Sequence, residues 1–390
     1  VTTDKKQSDK EQYGIFLRWE ESLNKSHFKG DIYHNGLLNY LYNITINFNI
    51  DIIIKLPEIN IAITGCGQWG INQVRVYANI PGVKLKWLVD KDPKNLNNAA
   101  AISPESKTTD DLQNVLKDDN LQAIVIATNS GHHYYLTKMA LEAGKHVLVE
   151  KPLALSLKDA EELAELAERK QLSLMTGHLL MYHPAVRYLK GLIKSGELGQ
   201  IFYMYSTRVN LGAVRRNENA LWSLAPHDIS VMLYLMEENP VRATANGKCF
   251  LQKDIEDVVF FSLEFPGGQV AQGQVSWLDP HKIRKFTVVG SRKMATFDDM
   301  EATEKVRIYD KGVSREINYG NYDEVLTLRE GDIHIPYFRM LEPLKIEADH
   351  FIECIRENKK PLSDGRNGRD VVRILEAVSL SLKEGRTVNI

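Results

Sequence analysis

The chain has 390 residues, of which 43% are hydrophobic and 26% charged, with a formal net charge of -2. That length exceeds one ordinary core and suits two domains of a globular protein. Near-neutral charge gives no whole-chain reason to expect nucleic acid or an anionic membrane as a partner. Three widely spaced cysteines, Cys66, Cys249 and Cys354, make neither a metal-ligand spacing nor a disulfide framework, which points to a reducing cytoplasm and no bound metal.

Residues 1–55 differ from the rest. The first 30 are charged and lack a clear apolar period, and Leu37–Ile54 mixes large apolar residues with Asn39, Asn43, Asn47 and Asn49. A membrane span needs about 20 mostly apolar residues, and these asparagines interrupt the run. The expectation is a poorly ordered extension outside the catalytic fold; an oligomerisation arm is the alternative.

From Ile59 strands and helices alternate. Ile59–Thr64 reads as a strand, Trp69–Asn79 as a helix closed by Pro81-Gly82, and Lys84–Asp90 as a strand ending in an acid. A short helix over Asp110–Asp118 precedes a continuous apolar strand at Ala123–Thr128, as expected where helices cover both sheet faces. A helix then runs to Ala143, stopped by Gly144, and His146–Glu150 is the next strand. Ser156 caps a helix through Lys170, and Ser173–Gly177 adds a further strand. Such alternation means βαβ units and a parallel sheet, here a dinucleotide-binding Rossmann domain over residues 56–177.

Beyond residue 198 the pattern changes. Ile201–Asn210, Val241–Phe250, Val258–Phe265, Gln269–Leu278, Arg284–Val289 and Lys305–Tyr309 are strand-like, with Pro266-Gly267-Gly268 as a hairpin turn. One substantial helix, near Leu224–Met236, lies among them. Residues 319–341 read as a long irregular stretch, and helices near Leu344–Asn358 and Asn367–Lys383 end the chain. The fold class is therefore α/β, with residues 178–390 forming an α+β domain for substrate and oligomerisation around a mostly antiparallel, open-faced sheet.

The chemistry starts at Gly65-Cys66-Gly67-Gln68-Trp69-Gly70, after a strand and ahead of a helix. Gly65 permits the tight turn, Gly67 lets backbone approach a pyrophosphate, and Gly70 allows close helix packing. Gln68 and Trp69 sit at the helix start, where unpaired N–H groups attract phosphate. Asp90 stands 20 residues after Gly70; a carboxylate there binds ribose hydroxyls and repels a 2′-phosphate, which favours NAD over NADP. The plain alternative is a structural turn beside a solvated acid. Thr128 and Asn129 end the fourth strand, where such sheets meet their ligands, and His132 and His133 open the next helix; His133 is a candidate cofactor contact.

Glu150-Lys151-Pro152 ends the fifth strand. A lysine aimed into an enclosed crevice exchanges protons with a hydroxyl, whereas a surface salt bridge is the bland reading. His227, at the start of the helix in the second domain, is a candidate acid–base partner, with a capping role as its alternative. His178 and Tyr182 follow the strand that ends at Gly177, at a ligand-facing edge. Arg208, Asn210 and Arg215 cluster ahead of Trp222; arginines suit phosphate, although charged loop residues are commonly just solvated.

These residues resemble the glucose-fructose oxidoreductase/inositol dehydrogenase/rhizopine catabolism (Gfo/Idh/MocA) family. The resemblance spans about residues 57–390 and rests on Ile61–Gly70, Asp90, Ala127–His133, Ala143–Leu153 and His227. It implies a Rossmann domain, an open-faced second sheet often buried in a homodimer or homotetramer, and oxidation of a sugar hydroxyl. It also implies Lys151 and His227 as catalytic residues. The family usually carries an aspartate four residues before the histidine; here that position is Ser223. Arg208–Ser223 and Val275–Pro280 resemble the UDP-N-acetylglucosamine 3-dehydrogenases. That subgroup implies a UDP-sugar oxidised at C3 and a pathway aminotransferase as partner, feeding lipid A or another surface glycan. UDP-N-acetylglucosaminuronate is the rival substrate, and a non-catalytic dinucleotide-binding regulator is the rival function.

Overall fold

Runs of aliphatic residues build the first sheet of the protein, whose computed structural model describes residues 58–318 and 323–390. Strands β1 (Ile59–Thr64), β2 (Val83–Val89), β3 (Lys107–Thr109), β4 (Ala123–Ile126), β5 (His146–Glu150) and β6 (Leu174–Gly177) are joined through α1 (Gly70–Tyr77), α2 (Pro93–Ile102), α3 (Leu112–Leu116), α4 (His133–Glu142) and α5 (Leu157–Arg169). All pair in parallel, in the order β3-β2-β1-β4-β5-β6. The winding reverses between β1 and β4, so Gly65 and Ala127–Asn129 flank the crevice where such sheets bind ligands.

The second half comprises α6 (Pro184–Lys194), β7 (Ile201–Val209), α7 (Ala220–Met236), β8 (Arg242–Lys248), β9 (Val258–Glu264), β10 (Val270–Ser276), β11 (Ile283–Gly290), β12 (Met294–Asp298), β13 (Val306–Tyr309), β14 (Gly312–Asn318), β15 (Asp323–Arg329), β16 (Ile333–His334), α8 (Pro343–Glu357), α9 (Gly365–Glu384) and β17 (Val388–Asn389). Nine strands form one sheet in the order β16-β13-β12-β11-β7-β10-β9-β8-β17. Every neighbouring pair is antiparallel except β7 with β10.

Alternation along the strands assigns each residue to a face. In the first sheet Ile61, Ile63, Val125 and Leu148 pack with Val74 and Phe351, whereas Ala62, Ile124, Ile126, Val147 and Val149 pack with Leu141 and Leu163. In the second, Met204, Val259, Phe261, Leu263, Ala271 and Val275 meet Ile229 and Leu233 of α7 and Leu375 of α9. The opposite face of that sheet leaves Tyr203, Tyr205 and Phe260 exposed, with the two tyrosine rings stacked.

Helices α8 and α9 return from the second half to the first. Leu344, Ala348, Phe351 and Ile352 of α8 join the core of β1 and α1, and Val372 of α9 joins that of α5 and β6. These two helices thus tie the first sheet to the second half of the chain.

Several elements depart from the expectations. Helix α2 is polar, with Ala99 its one buried residue, and so shows almost no apolar period. Helix α6 is capped by His183, a residue type outside the usual capping set. Helix α7 begins at Ala220, capped by Asn219, and runs through Pro226. The stretch 319–341, expected to be irregular, contains β15 and β16; β15 pairs with β14 alone and so carries no imprint of the main core. The expected extension over residues 1–55 lies outside the described residues, as do 319–322 of that stretch.

Gly273 of β10 faces Phe261 of β9, and a Cβ there would overlap the phenyl ring. Gly273→Ala is expected to destabilise the fold by about 1–3 kcal/mol through overpacking, measured as a lower denaturation midpoint at unchanged slope.

Candidate active site

The glycine turn is set by two contacts within the chain. Gly65 has φ +87°, and a Cβ on it would lie 2.7 Å from the Ala127 carbonyl oxygen and the Thr128 nitrogen. A Cβ on Gly70 would overlap the Gly65 carbonyl. Gly67 differs: its Cβ would meet only Asn95 Nδ2, at 3.7 Å. Its missing side chain therefore leaves space that none of the described residues uses. Trp69 occupies the N-cap of α1 without a side-chain bond; the Ile71 and Asn72 amides donate to the Gly67 and Trp69 carbonyls, and the Gln68, Trp69 and Gly70 amides have no partner among the described residues and face an anion.

Asp90 braces the same turn. Its Oδ2 accepts from the Cys66 amide at 2.7 Å and from Asn95 Nδ2 at 3.3 Å, and its Oδ1 accepts from the Asp92 amide at 2.8 Å. A carboxylate has about four acceptor sites, so one remains for a ribose hydroxyl. Burial, then Asp90, pushes the Cys66 thiol up to about 12, which leaves it inert. An open cradle at Gly67, free amides and a braced acid at the strand end fit a dinucleotide. Gln68 and Trp69 are exposed at the mouth, as is Asn129, while Thr128 is half-buried beside it.

Glu150 and His133 hold the neighbouring strand ends. Buried Glu150 accepts from the Trp69 indole and, at 2.8 Å, from Gln73 Nε2, which ties the turn to the end of β5. Glu347 of α8 is buried nearby, its Oε1 without a partner among the described residues; burial and the charge of Glu150 raise its carboxyl well above the usual range. His133, expected to touch the cofactor, is instead buried. Its Nδ1 lies 2.7 Å from the Pro152 carbonyl and its Nε2 3.1 Å from that of Thr128. Its ring sits between the ends of β4 and β5; burial lowers its pKa, and the neutral ring donates to one of the two carbonyls.

Lys151, half-buried, follows Glu150 at the crevice, and its Nζ donates to the Ser223 carbonyl at 2.9 Å. Pro226 has no N–H, so it is the Trp222 carbonyl, one residue before Ser223, that lacks its α7 ladder partner. Burial lowers the pKa of Lys151; Glu218 and then Glu150 oppose the shift, and Arg215 and Arg208 add to it. His227, on the next turn of α7, is held well below its ordinary value by burial and then by Lys151, and its Nδ1 has no partner among the described residues. A weakened ammonium and a neutral imidazole thus share one crevice. That arrangement suits proton exchange with a hydroxyl.

Four expected substrate contacts are placed otherwise. Tyr182 is buried in the core, its hydroxyl 2.9 Å from Ser363 Oγ. His178 is fully buried behind Lys151, with Nδ1 2.7 Å from Asn367 Oδ1. The Arg208 fork closes on Asp228, Nε to Oδ2 at 2.7 Å and Nη2 to Oδ1 at 3.1 Å, and both residues are buried. Trp222 turns its indole N–H to Ser379 Oγ of α9, at 3.0 Å. For Tyr182, His178 and Arg208 burial commits the polar group to an internal partner, whereas half-buried Trp222 still lines the groove beside Glu218. Arg215 is exposed, 3.7 Å from Glu218, and Asn210 is half-buried at the end of β7, its amide bonded to the Ser276 carbonyl. Asn367, the partner of His178, was missed: it lies 189 residues away and no local pattern marks it. Ser223 was singled out for its missing carboxylate, but not for the carbonyl it offers Lys151. Among the described residues no cluster of three His, Cys, Asp or Glu side chains is arranged for a metal ion.

Two family models match the chain. One, described as an oxidoreductase family with an NAD-binding Rossmann fold, matches residues 59–178; the other, the Gfo/Idh/MocA C-terminal domain, matches 186–296. The chain belongs to the Gfo/Idh/MocA oxidoreductase family. Its fold, NAD as cofactor and an oxidoreductase activity follow. It is 23% identical over 349 residues to scyllo-inositol 2-dehydrogenase (NAD(+)) of Bacillus subtilis, covering 85% of this chain and 96% of that one. It is 26% identical over 254 residues to UDP-N-acetylglucosamine 3-dehydrogenase of Acidithiobacillus ferrooxidans, covering 65% and 76%. Among solved structures, GenD2 from gentamicin A biosynthesis in complex with NAD superposes with a TM-score of 0.73 at 23% identity, covering 86% of this chain and 97% of that one. NAD would supply a hydride acceptor when bound, and the turn from Gly65 to Gly70, with Asp90, is the part of this chain that would hold it.

Burial holds His178 and His183 at about 4. Both bind a proton more readily in the unfolded chain, so their neutral burial costs nothing above pH 6.5 and opposes folding as pH falls from 6.5 to 4. Each shift is worth up to about 3 kcal/mol. Urea unfolding is expected to show stability falling across that window. His183→Asn, which keeps an N-cap for α6, is expected to flatten the fall while leaving stability at neutral pH within about 1 kcal/mol.

Proposed function

We propose that the protein oxidises the C3 hydroxyl of UDP-N-acetylglucosamine with NAD, giving the 3-keto sugar nucleotide. One observation carries the reading: Lys151, its pKa lowered, opens into the crevice beside both the glycine turn and neutral His227. In this reading Lys151 takes the hydroxyl proton while the C3 hydride leaves for the nicotinamide. His227 accepts or donates a hydrogen bond at the same oxygen and stays uncharged. The site residues in this scheme are Lys151 and His227 for the proton, and Gly65–Gly70, Asp90, Thr128 and Asn129 for the cofactor. Asn210 and exposed Arg215 supply polar contacts to the sugar nucleotide.

Support for a sugar nucleotide comes from the groove of about 360 Å³ lined by Ser130, Arg216, Asn217, Glu218, Asn219 and Asp254, whose polar walls suit hydroxyl and phosphate groups. The resemblance of the loop before α7 to UDP-N-acetylglucosamine 3-dehydrogenases adds to it. The 3-keto product would pass to an aminotransferase in the cytoplasm, on a route to lipid A or another surface glycan. Pure protein with NAD, UDP-N-acetylglucosamine, glutamate and a coupled aminotransferase is expected to form NADH. Lys151→Ala should lose at least about a hundredfold in kcat with NAD affinity intact; near-normal turnover would remove Lys151 from its role. Activity on UDP-N-acetylglucosaminuronate alone would move the assignment to that sugar.

The same reading makes the protein a homodimer or homotetramer through the uncovered face of the second sheet, where Tyr203, Tyr205 and Phe260 are 45%, 40% and 50% exposed. Tyr205→Asp is expected to yield monomer in sedimentation velocity while leaving the circular dichroism spectrum unchanged.

A further inference from the structure

The loop between β8 and β9, residues 249–257, builds one wall of the groove that adjoins the crevice, through Asp254 and Ile255. Its anchor is Asp257, which is fully buried. Asp257 Oδ2 accepts from the Phe250 and Leu251 amides at 2.6 and 2.8 Å, and Oδ1 accepts from the Trp277 indole at 2.6 Å. Three donors on one buried carboxylate hold the loop in a single shape. The loop is tied in turn to the start of α7. Gln252 Nε2 donates to the Arg215 carbonyl at 2.7 Å, Asn219 Nδ2 to Glu256 Oε2 at 2.7 Å, and the Ala220 amide to the Glu256 carbonyl at 2.9 Å. This wall is therefore formed before any ligand arrives.

Two charged side chains line the groove without an ion pair or side-chain hydrogen bond among the described residues: Asp254 at the tip of this loop and Arg216 on the loop before α7. The other polar groups on those two loops are engaged. Glu218 stands 3.7 Å from Arg215, and Asn219 caps α7 and holds Glu256. Leu155, just after β5, and Ile255 add apolar side chains to the lining. The groove meets the crevice at two points: Ser130 follows Asn129, and Trp222 precedes Ser223, whose carbonyl holds Lys151 at 2.9 Å. Neither Lys151 nor His227 lines it, so its volume of about 360 Å³ lies beyond the place where a reacting carbon must sit. A substrate that reaches both has a second half, with hydroxyls for a carboxylate and an anion for a guanidinium.

We propose that Asp254 and Arg216 recognise the nucleoside diphosphate half of the substrate, Asp254 accepting from the ribose diol and Arg216 donating to a phosphate, with the base between Leu155 and Ile255. A carboxylate accepts from two adjacent hydroxyls at once, the part expected of Asp90 toward the adenosine ribose. A guanidinium fork matches phosphate oxygens. A free sugar or polyol would leave both side chains without a partner. The inference deepens the sugar-nucleotide reading and rests on it.

The test is calorimetric titration of the NAD-saturated protein, whose cofactor site is filled, with UDP and with its 2′,3′-dideoxy analogue. The wild type is expected to bind UDP more tightly than the analogue. Asp254→Asn, which tolerates the left-handed backbone at φ +59°, should weaken UDP about tenfold and leave the analogue unchanged. Arg216→Gln should weaken both nucleotides about tenfold. Absence of UDP binding, affinities unmoved by either variant, or an equal loss of both nucleotides in Asp254→Asn overturns the proposal. Failure of the reaction reading shows differently: UDP binds in the expected pattern, yet neither UDP-sugar yields NADH. Turnover of UDP-N-acetylglucosamine with a KM unmoved in both variants removes the subsite and leaves the reaction standing.

Discussion

Polar groups buried at the carboxyl ends of β4 and β5 must find partners inside the protein, and the rest of the site is arranged around that demand. An unpaired buried donor or acceptor costs on the order of 1–3 kcal/mol. His133 answers it for the backbone in part: its buried ring lies between the Pro152 and Thr128 carbonyls, at 2.7 and 3.1 Å, and in the neutral form donates to one of them. Glu150 answers it for the cofactor turn, receiving Trp69 and Gln73. Lys151 reaches out of the first sheet to the Ser223 carbonyl of α7. The strand that carries the lysine is thus held from the turn on one side and from the second half of the chain on the other.

The same demand separates residues that reach a ligand from those that support them. Arg208, Trp222, Tyr182 and His178 are polar residues near the crevice, yet each is committed to Asp228, Ser379, Ser363 or Asn367. Three of those four partners lie on the final segment of the chain, in or just before α9. That segment closes the core of both sheets and so fixes the crevice wall, although it carries no chemistry of its own. Neutral His227 and weakened Lys151 are consequences of the enclosure: burial is the largest influence on each.

The elements around the cofactor were legible because each has a local cause. Solid apolar strands such as Ala123–Ile126, glycine at two crowded turns and the cap at Ser156 all act over a few residues. Polar helix α2 and the self-paired hairpin β14–β15 were not, since neither presents an apolar period to a core. The substrate contacts were the least legible. A histidine or arginine at an element edge looks alike in sequence whether it faces a ligand or an internal carboxylate.

The sequence alone determined the family, the dinucleotide turn and the lysine at the end of β5, because those signals are short and their geometry is set by neighbours in the chain. Tertiary structure alone decided which polar residues remain free. It committed His133, His178, Tyr182 and Arg208 to internal partners and brought the Ser223 carbonyl to Lys151. The reason is that a hydrogen-bond partner such as Asn367 or Asp228 lies 189 or 20 residues away along the chain. Only folding brings the two together, and only then is it settled which groups a ligand can still reach.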